Sequence, residues 1–263
     1  MKILPKKSLG QNFLVDEKIL NKIVDEGKIS NDDIVLEVGP GLGNLTKIIL
    51  NKKPKKLIVI EKDKKLSKIL ENKFKNKIKI INEDILRFSH GNLYKEPIII
   101  FGNLPYNIST QILANWIKLD NLNNFCKKFI LMFQKEVADR IIAKDNSKEY
   151  GRLSILSSWK MNIKKVMDIN PGSFYPVPKV KSSLLIFEPK TNYHKLSNPK
   201  ILEHVSNVFF TQRRKMIKKP MKILFKNFKE ISDSLSLDLN LRPQNIKAQT
   251  FYKICTYYEN SLK

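Results

Sequence analysis

Short apolar runs recur along the first two thirds of the chain, at residues 34–38, 57–60, 78–81, 98–100, 128–133 and 183–187. Runs of this length, rich in Ile and Val and bounded by polar or glycine-containing segments, predict strands, of which those at 34–38 and 98–100 read as buried. Between them the spacing changes. Ile19, Leu20, Ile23 and Val24 mark one face of a helix starting near Asp16, and residues 45–50, 108–113 and 134–143 read as further helices, with another opening at Tyr150. Trp116 and Trp159 lie in helical, apolar surroundings and are expected in the core. Alternating strand and helix predicts an α/β fold. From residue 188 the texture turns to a polar linker and then helices only, one with an apolar face of Ile201, Val205, Val208 and Phe209, and a last one beginning at Arg242-Pro243-Gln244-Asn245 and running through Phe251 and Ile254. The expected organisation is therefore an α/β domain over residues 1–188 and a small all-α domain over 189–263.

The residues just after each strand carry the candidate chemistry, because open α/β sheets hold ligands at the carboxyl ends of their strands. Gly39-Pro40-Gly41-Leu42-Gly43-Asn44 comes after the first, with a spacing unlike the dinucleotide fingerprint, so a phosphate cradle is not the first inference. Glu61 comes after the second, placed to accept from both hydroxyls of a ribose. Asp84, in Asn82-Glu83-Asp84-Ile85 after the third, is placed to accept from an adenine amine, with Ile85 against the ring. Each acid taken alone also reads as a solvated carboxylate or a turn cap. The fourth strand runs into Phe101-Gly102-Asn103-Leu104-Pro105-Tyr106. An exocyclic amine on a flat base is a poor nucleophile; two acceptors that take its hydrogens draw the nitrogen toward tetrahedral geometry. The Asn103 side-chain oxygen and the Leu104 carbonyl are the candidate acceptors, Pro105 stiffens them, and Tyr106 offers a stacking face. The competing reading is a strand-to-helix turn capped by Asn, with Tyr in the core. Farther on, Pro176 and Pro178 stiffen the segment after Phe174 and Tyr175, rings that are either presented to a base or built into the core.

The balance of 49 Lys+Arg against 25 Asp+Glu, a net +24, favours a polyanionic partner. Lysine is abundant everywhere, so clustering says more than the total. Residues 211–229 carry Arg213, Arg214, Lys215, Lys218, Lys219, Lys222, Lys226 and Lys229 without an acid. At the other end, Lys6 and Lys7 open a basic arm that leads to Leu14. Cys126 and Cys255 do not cluster with His90, His194 or His204 at ligand spacing, so no metal is expected. No apolar run approaches the roughly 18 residues of a membrane span, and the start of the chain has no signal-peptide core, so a cytoplasmic protein is expected.

Gly10-Gln11-Asn12-Phe13-Leu14, Glu37-Val38-Gly39-Pro40-Gly41-Leu42-Gly43, Glu61, Asp84, Asn103-Leu104-Pro105-Tyr106, Tyr150-Gly151-Arg152-Leu153-Ser154, Phe174-x-Pro176-x-Pro178-x-Val180-x-Ser182 and Gln212-Arg213-Arg214-Lys215 stand in one order. In these motifs the chain resembles the ribosomal RNA adenine dimethyltransferase family, most closely its bacterial small-subunit branch. The resemblance implies a Rossmann-like methyltransferase sheet of seven strands with a helical carboxyl-terminal domain. It implies S-adenosylmethionine as cofactor, with Asn12, Leu14 and Gly39 about its methionine end, Glu61 on the ribose and Asp84 on the adenine amine. Asn103 would border cofactor and target, Asn103, Leu104, Pro105 and Tyr106 would form the catalytic stretch, and Phe174 would face Tyr106 across the target base. Arg213, Arg214 and Lys215 would contact RNA. The implied substrate is a pair of adjacent adenines in a hairpin loop near the 3′ end of 16S ribosomal RNA, dimethylated at N6 within the small ribosomal subunit by a monomer. Gln111, where many members have proline, and Lys148-Glu149 before Tyr150 depart from the pattern and bear on loop geometry. A large-subunit (23S) RNA methyltransferase of the macrolide-resistance type and a mainly non-catalytic assembly or transcription factor are the alternatives; a DNA adenine methyltransferase would want a target-recognition domain that is not visible here.

Overall fold

The apolar runs become strands because β-branched side chains fill both faces of a pleated sheet, and the longer periods between them become the helices that cover it. In the computed structural model, which describes residues 5–6, 10–88 and 96–262, the first elements are β1 (Phe13–Leu14), α1 (Glu17–Gly27), β2 (Ile34–Val38), α2 (Asn44–Asn51), β3 (Lys56–Ile60), α3 (Lys64–Phe74) and β4 (Lys79–Ile81). Then come β5 (Ile98–Gly102), α4 (Ser109–Ile117), α5 (Leu122–Phe125), β6 (Cys126–Gln134), α6 (Lys135–Ile142), α7 (Arg152–Lys160), β7 (Met161–Ile169), β8 (Phe174–Tyr175) and β9 (Ser182–Pro189). His90 lies outside the described residues, as do Lys7, Ser8 and Leu9.

Seven strands form one mixed sheet in the order β4-β3-β2-β5-β6-β9-β7, and β1 and β8 pair separately. Neighbours from β4 to β6 are parallel, whereas β9 runs antiparallel to β6. The chain winds outward from β2 in one direction to β4, then returns beside β2 at β5, so the strand order reverses between β2 and β5. Register levels the carboxyl ends there: Val38 lies opposite both Ile60 and Gly102, and Ile60 opposite Ile81. The residues next in sequence are thus delivered to one edge.

The residues alone predict six of these strands; β7 is the seventh that the resemblance implied. Its Lys164, Lys165 and Asp168 give it no continuous apolar run, as suits the outermost strand of a sheet. Asp16 caps α1, its carboxylate accepting from the N–H groups of Lys18 and Ile19 at 3.1 and 3.2 Å, and the helix buries Leu20, Ile23 and Val24. Trp116 is buried with its ring 5.1 Å from Phe129.

The described chain divides into two compact units, Met1–Ala138 with Ile163–Pro189, and Asp139–Asn162 with Lys190–Lys263. The break after Pro189 falls next to the expected boundary at 188, but residues 139–162 depart from the expected division. They group with the later helices because α7 packs on α8 (Pro199–Phe210) and α11 (Ala248–Ser261). Tyr252 Oη donates to the Ile155 carbonyl at 2.8 Å, and Trp159 Nε1 to the His194 carbonyl at 2.6 Å. The same unit holds α9 (Lys218–Leu224) and α10 (Phe228–Ser234). Pro243–Asn245 is a separate 3-10 turn, so the last helix starts at Ala248, not at Arg242.

Candidate active site

β2 enters the glycine-rich turn with its backbone still committed to the sheet, the Gly39 N–H donating to the Ile60 carbonyl at 3.0 Å. Gly41 sits at φ +57°, and a Cβ there would come within 2.7 Å of the Phe13 ring. Only glycine fits both conditions. Asn44, at the end of the turn, donates to the Leu14 carbonyl at 2.9 Å and ties β1 to the same wall. One member of this wall carries no role in the sequence reading: Glu37, an acid inside an otherwise apolar buried strand. Burial pushes its carboxyl up to about 8, with the Thr46 hydroxyl, bonded at 2.6 Å, pulling down and the nearby Glu61 adding to the rise. An ionisable residue in the middle of a buried strand was the available signal.

Glu61 begins where β3 ends and is buried, which raises its carboxyl above the ordinary carboxylate range. Backbone donors oppose that rise: the Asp63 N–H at 2.8 Å on one oxygen and the Gly41 N–H at 3.2 Å on the other. Each oxygen keeps a lone pair for a further donor. Asp63 also holds the amino-terminal arm, through Lys6 Nζ at 2.8 Å and Gln11 Nε2 at 3.5 Å. Asp84 does two things. One oxygen accepts from the Leu86 N–H at 3.0 Å, as a turn cap would, and the other pairs with Lys62 at 2.8 Å, which holds the carboxyl below its usual value. Asp84 and the buried Ile85 nonetheless line the same cavity as Glu61 and Gly39.

The Asn103 side chain is fixed by its amide, Nδ2 donating to the Asn12 carbonyl at 2.7 Å. That bond turns Oδ1 away from Asn12, and among the described residues neither Oδ1 nor the Leu104 carbonyl accepts a hydrogen bond. The Pro105 carbonyl accepts from the N–H groups of Ile108 and Ser109 at 3.1 and 3.0 Å, closing the turn into α4. Tyr106 is half-buried and its hydroxyl lies 2.6 Å from Ser182 Oγ; burial pushes the phenol up. Asn12, Leu14, Gly39, Glu61, Asp84, Asn103, Leu104, Pro105 and Tyr106 all line one cleft, which opens beside Tyr106 into a shallow depression bordered by Gly10, Asn12, Asn107 and Gln134. The cleft offers acceptors at one end for hydroxyls and an amine, and at the other two free acceptors beside an aromatic ring.

Phe174 does not join them. It is 2% exposed and packs in the core with Leu14, its antiparallel partner. Successive side chains of a strand point to opposite faces, so Tyr175 is the one turned outward. In the second compact unit Arg213 is also committed internally, its Nε to Gln244 at 3.1 Å and its Nη2 to the Lys148 carbonyl. Arg214 and Lys215 are exposed.

Residues 4–260 match the family model described as ribosomal RNA adenine dimethylase. The chain is 54% identical to ribosomal RNA small subunit methyltransferase A of Pelagibacter ubique, over 99% of both chains. It is 43% identical to the protein of that name from Ehrlichia chaffeensis, over 96% of both. Among solved structures it is similar to a dimethyladenosine transferase from Plasmodium falciparum, with a TM-score of 0.79 and 26% identity over 94% of this chain and 98% of that one. The 23S rRNA methyltransferase ErmE shares the fold, with a TM-score of 0.68 at 21% identity over 94% of this chain and 99% of that one.

Proposed function

The chain belongs to the ribosomal RNA adenine dimethylase family, and from that premise we propose that it dimethylates N6 of two adjacent adenines in a hairpin loop near the 3′ end of 16S ribosomal RNA, within the small ribosomal subunit. Its relatives from Pelagibacter and Ehrlichia carry the small-subunit name, which favours this substrate over large-subunit RNA. The observation that carries the chemistry is the pinned Asn103 amide: its donor side is spent on Asn12, so its acceptor side and the Leu104 carbonyl are free beside the Tyr106 ring.

The residues present fit S-adenosylmethionine, because one cleft joins the buried Glu61, with a spare lone pair on each oxygen, to the ionised Asp84 and to a turn where Gly39 leaves the backbone uncovered. When bound, S-adenosylmethionine supplies an electrophilic methyl group. Glu61 would accept from the ribose hydroxyls, Asp84 from the adenine amine of the cofactor, and Asn12, Leu14 and Gly39 would border the methionine end. Asn103 Oδ1 and the Leu104 carbonyl would take the two hydrogens of the target amine and aim its lone pair along the cleft. Tyr106 would stack on the extruded base, whose unstacking costs a few kcal/mol and least in a loop. No base within the stretch is required, since the alkylated nitrogen is acidic and releases its proton to water. In this reading the protein works as a monomer in the cytoplasm, where small subunits assemble; no described helix is long and apolar enough to cross a membrane.

The test offers labelled S-adenosylmethionine with undermethylated small subunits and, separately, naked large-subunit RNA, and maps the modified nucleotides. Label on two adjacent loop adenines of 16S RNA is expected. Label confined to 23S RNA, or none on the subunits, overturns the proposal.

A further inference from the structure

Eight large apolar side chains stand exposed among the described residues, and three of them, Tyr175, Val177 and Val180, fall within six positions. Such crowding of apolar surface marks a contact site more often than chance solvation. Tyr175 is 54% exposed and Val177 64%, and Pro176, Lys179 and Lys181 are exposed with them. The segment from residue 169 to 187 holds no acid. Neither Lys179 nor Lys181 has an ion-pair partner among the described residues.

Both ends of this segment are fastened to the cleft. Tyr175 pairs in β8 with Phe13, next to the Asn12 that holds Asn103. Ser182, at the other end, bonds the hydroxyl of Tyr106. The exposed stretch is therefore tied to the first residue of the 103–106 turn by way of Asn12 and to the last by way of Ser182, and Pro176 and Pro178 limit its freedom before anything binds.

Resting on the RNA substrate proposed above, we propose that residues 175–181 form a ridge that receives the single-stranded RNA flanking the target adenine, with Tyr175 stacking on a base and Lys179 and Lys181 on phosphates. A ring with lysines interleaved suits unpaired RNA, whose bases need π-faces and whose phosphates need cations. An acid-free segment with two lysines unpaired among the described residues favours that occupant over a protein. The ridge is distinct from the pocket for the reacting base, which Tyr106 borders.

Tyr175→Ala should raise KM for undermethylated small subunits about 5- to 150-fold, the range of one lost stack, with the single-turnover rate at saturating subunits and the affinity for S-adenosylmethionine unchanged. Tyr175→Phe should behave as the unaltered protein. Lys179→Gln with Lys181→Gln should lower the slope of log affinity against log salt by about 0.7 per contact. A photoreactive benzoylphenylalanine at position 175 should crosslink to 16S RNA. An unchanged KM in Tyr175→Ala overturns the ridge, as does a crosslink to a ribosomal protein alone. Failure of the unaltered protein to methylate small subunits would instead sink the substrate assignment itself, so the two failures are distinguishable.

Discussion

Replacing Asn103 separates the two jobs proposed for its side chain. In Asn103→Ala both the Nδ2 bond to the Asn12 carbonyl and the free Oδ1 are lost. Loss of one preorganised polar group at a reacting centre costs about 10²- to 10³-fold, roughly 2.7–4 kcal/mol, and that is the expected fall in the methyl-transfer rate. Affinity for S-adenosylmethionine should stay within about threefold, because in the proposed mechanism the group acts on the reacting amine. Asn103→Asp is the sharper probe. It restores acceptors but sets a carboxylate oxygen about where Nδ2 lies 2.7 Å from the Asn12 carbonyl, acceptor against acceptor. Breaking a part-buried pair of this kind costs about 1–3 kcal/mol at most, so the aspartate enzyme should also be slow, by up to about 150-fold. The assay is single turnover with enzyme and cofactor in excess over undermethylated subunits, alongside calorimetric titration of the cofactor. Near-full activity in Asn103→Ala would remove the residue from the mechanism, and full activity in Asn103→Asp would show that the tie to Asn12 is idle.

Glu37 gives a pH prediction: it keeps its proton to about 8 in the fold, against 4.5 in a free chain. Between those values the folded state binds the extra proton, so stability falls as pH rises, by up to about 1.4 kcal/mol per pH unit; urea unfolding from pH 5 to 9 should show a slope that Glu37→Gln reduces, and identical slopes would refute it. Gly41→Ala, forced to φ +57° with its Cβ against Phe13, should lower both melting temperature and cofactor affinity; an unchanged affinity would refute the packing argument. Arg214→Ala with Lys215→Ala should flatten the salt dependence of subunit binding by up to about 0.9 per lost phosphate contact, whereas Arg213→Ala, which breaks the bonds to Gln244 and Lys148, should mainly lower the melting temperature. Equal effects on the salt slope would show that all three face RNA.

What was legible in the sequence was local. The strands from β2 to β6 announce themselves by composition, even β4 at the sheet's border, whose Ile80 and Ile81 keep an apolar run. The residues after them reach one edge because parallel register leaves little choice. β7 was hidden because a strand at the border of a sheet solvates its charged residues and loses the apolar signature. The inward turn of Phe174 depends on pairing with Leu14, and the commitment of Arg213 on Gln244 and Lys148. None of these three partners is a sequence neighbour. The grouping of residues 139–162 with the later helices likewise stems from α7 packing on α8 and α11, a choice no local pattern records.

Asp16 and Ser173 are 157 positions apart yet hydrogen-bonded at 3.4 Å, beside the β1–β8 ribbon that seats the amino-terminal arm. A nascent chain emerging from its amino terminus thus exposes the glycine turn, Glu61 and Asp84 long before β1 has its partner strand. Polypeptides truncated short of residue 175 should carry most of the cofactor wall and still methylate nothing, so prematurely terminated copies would be inert toward the ribosomes that made them.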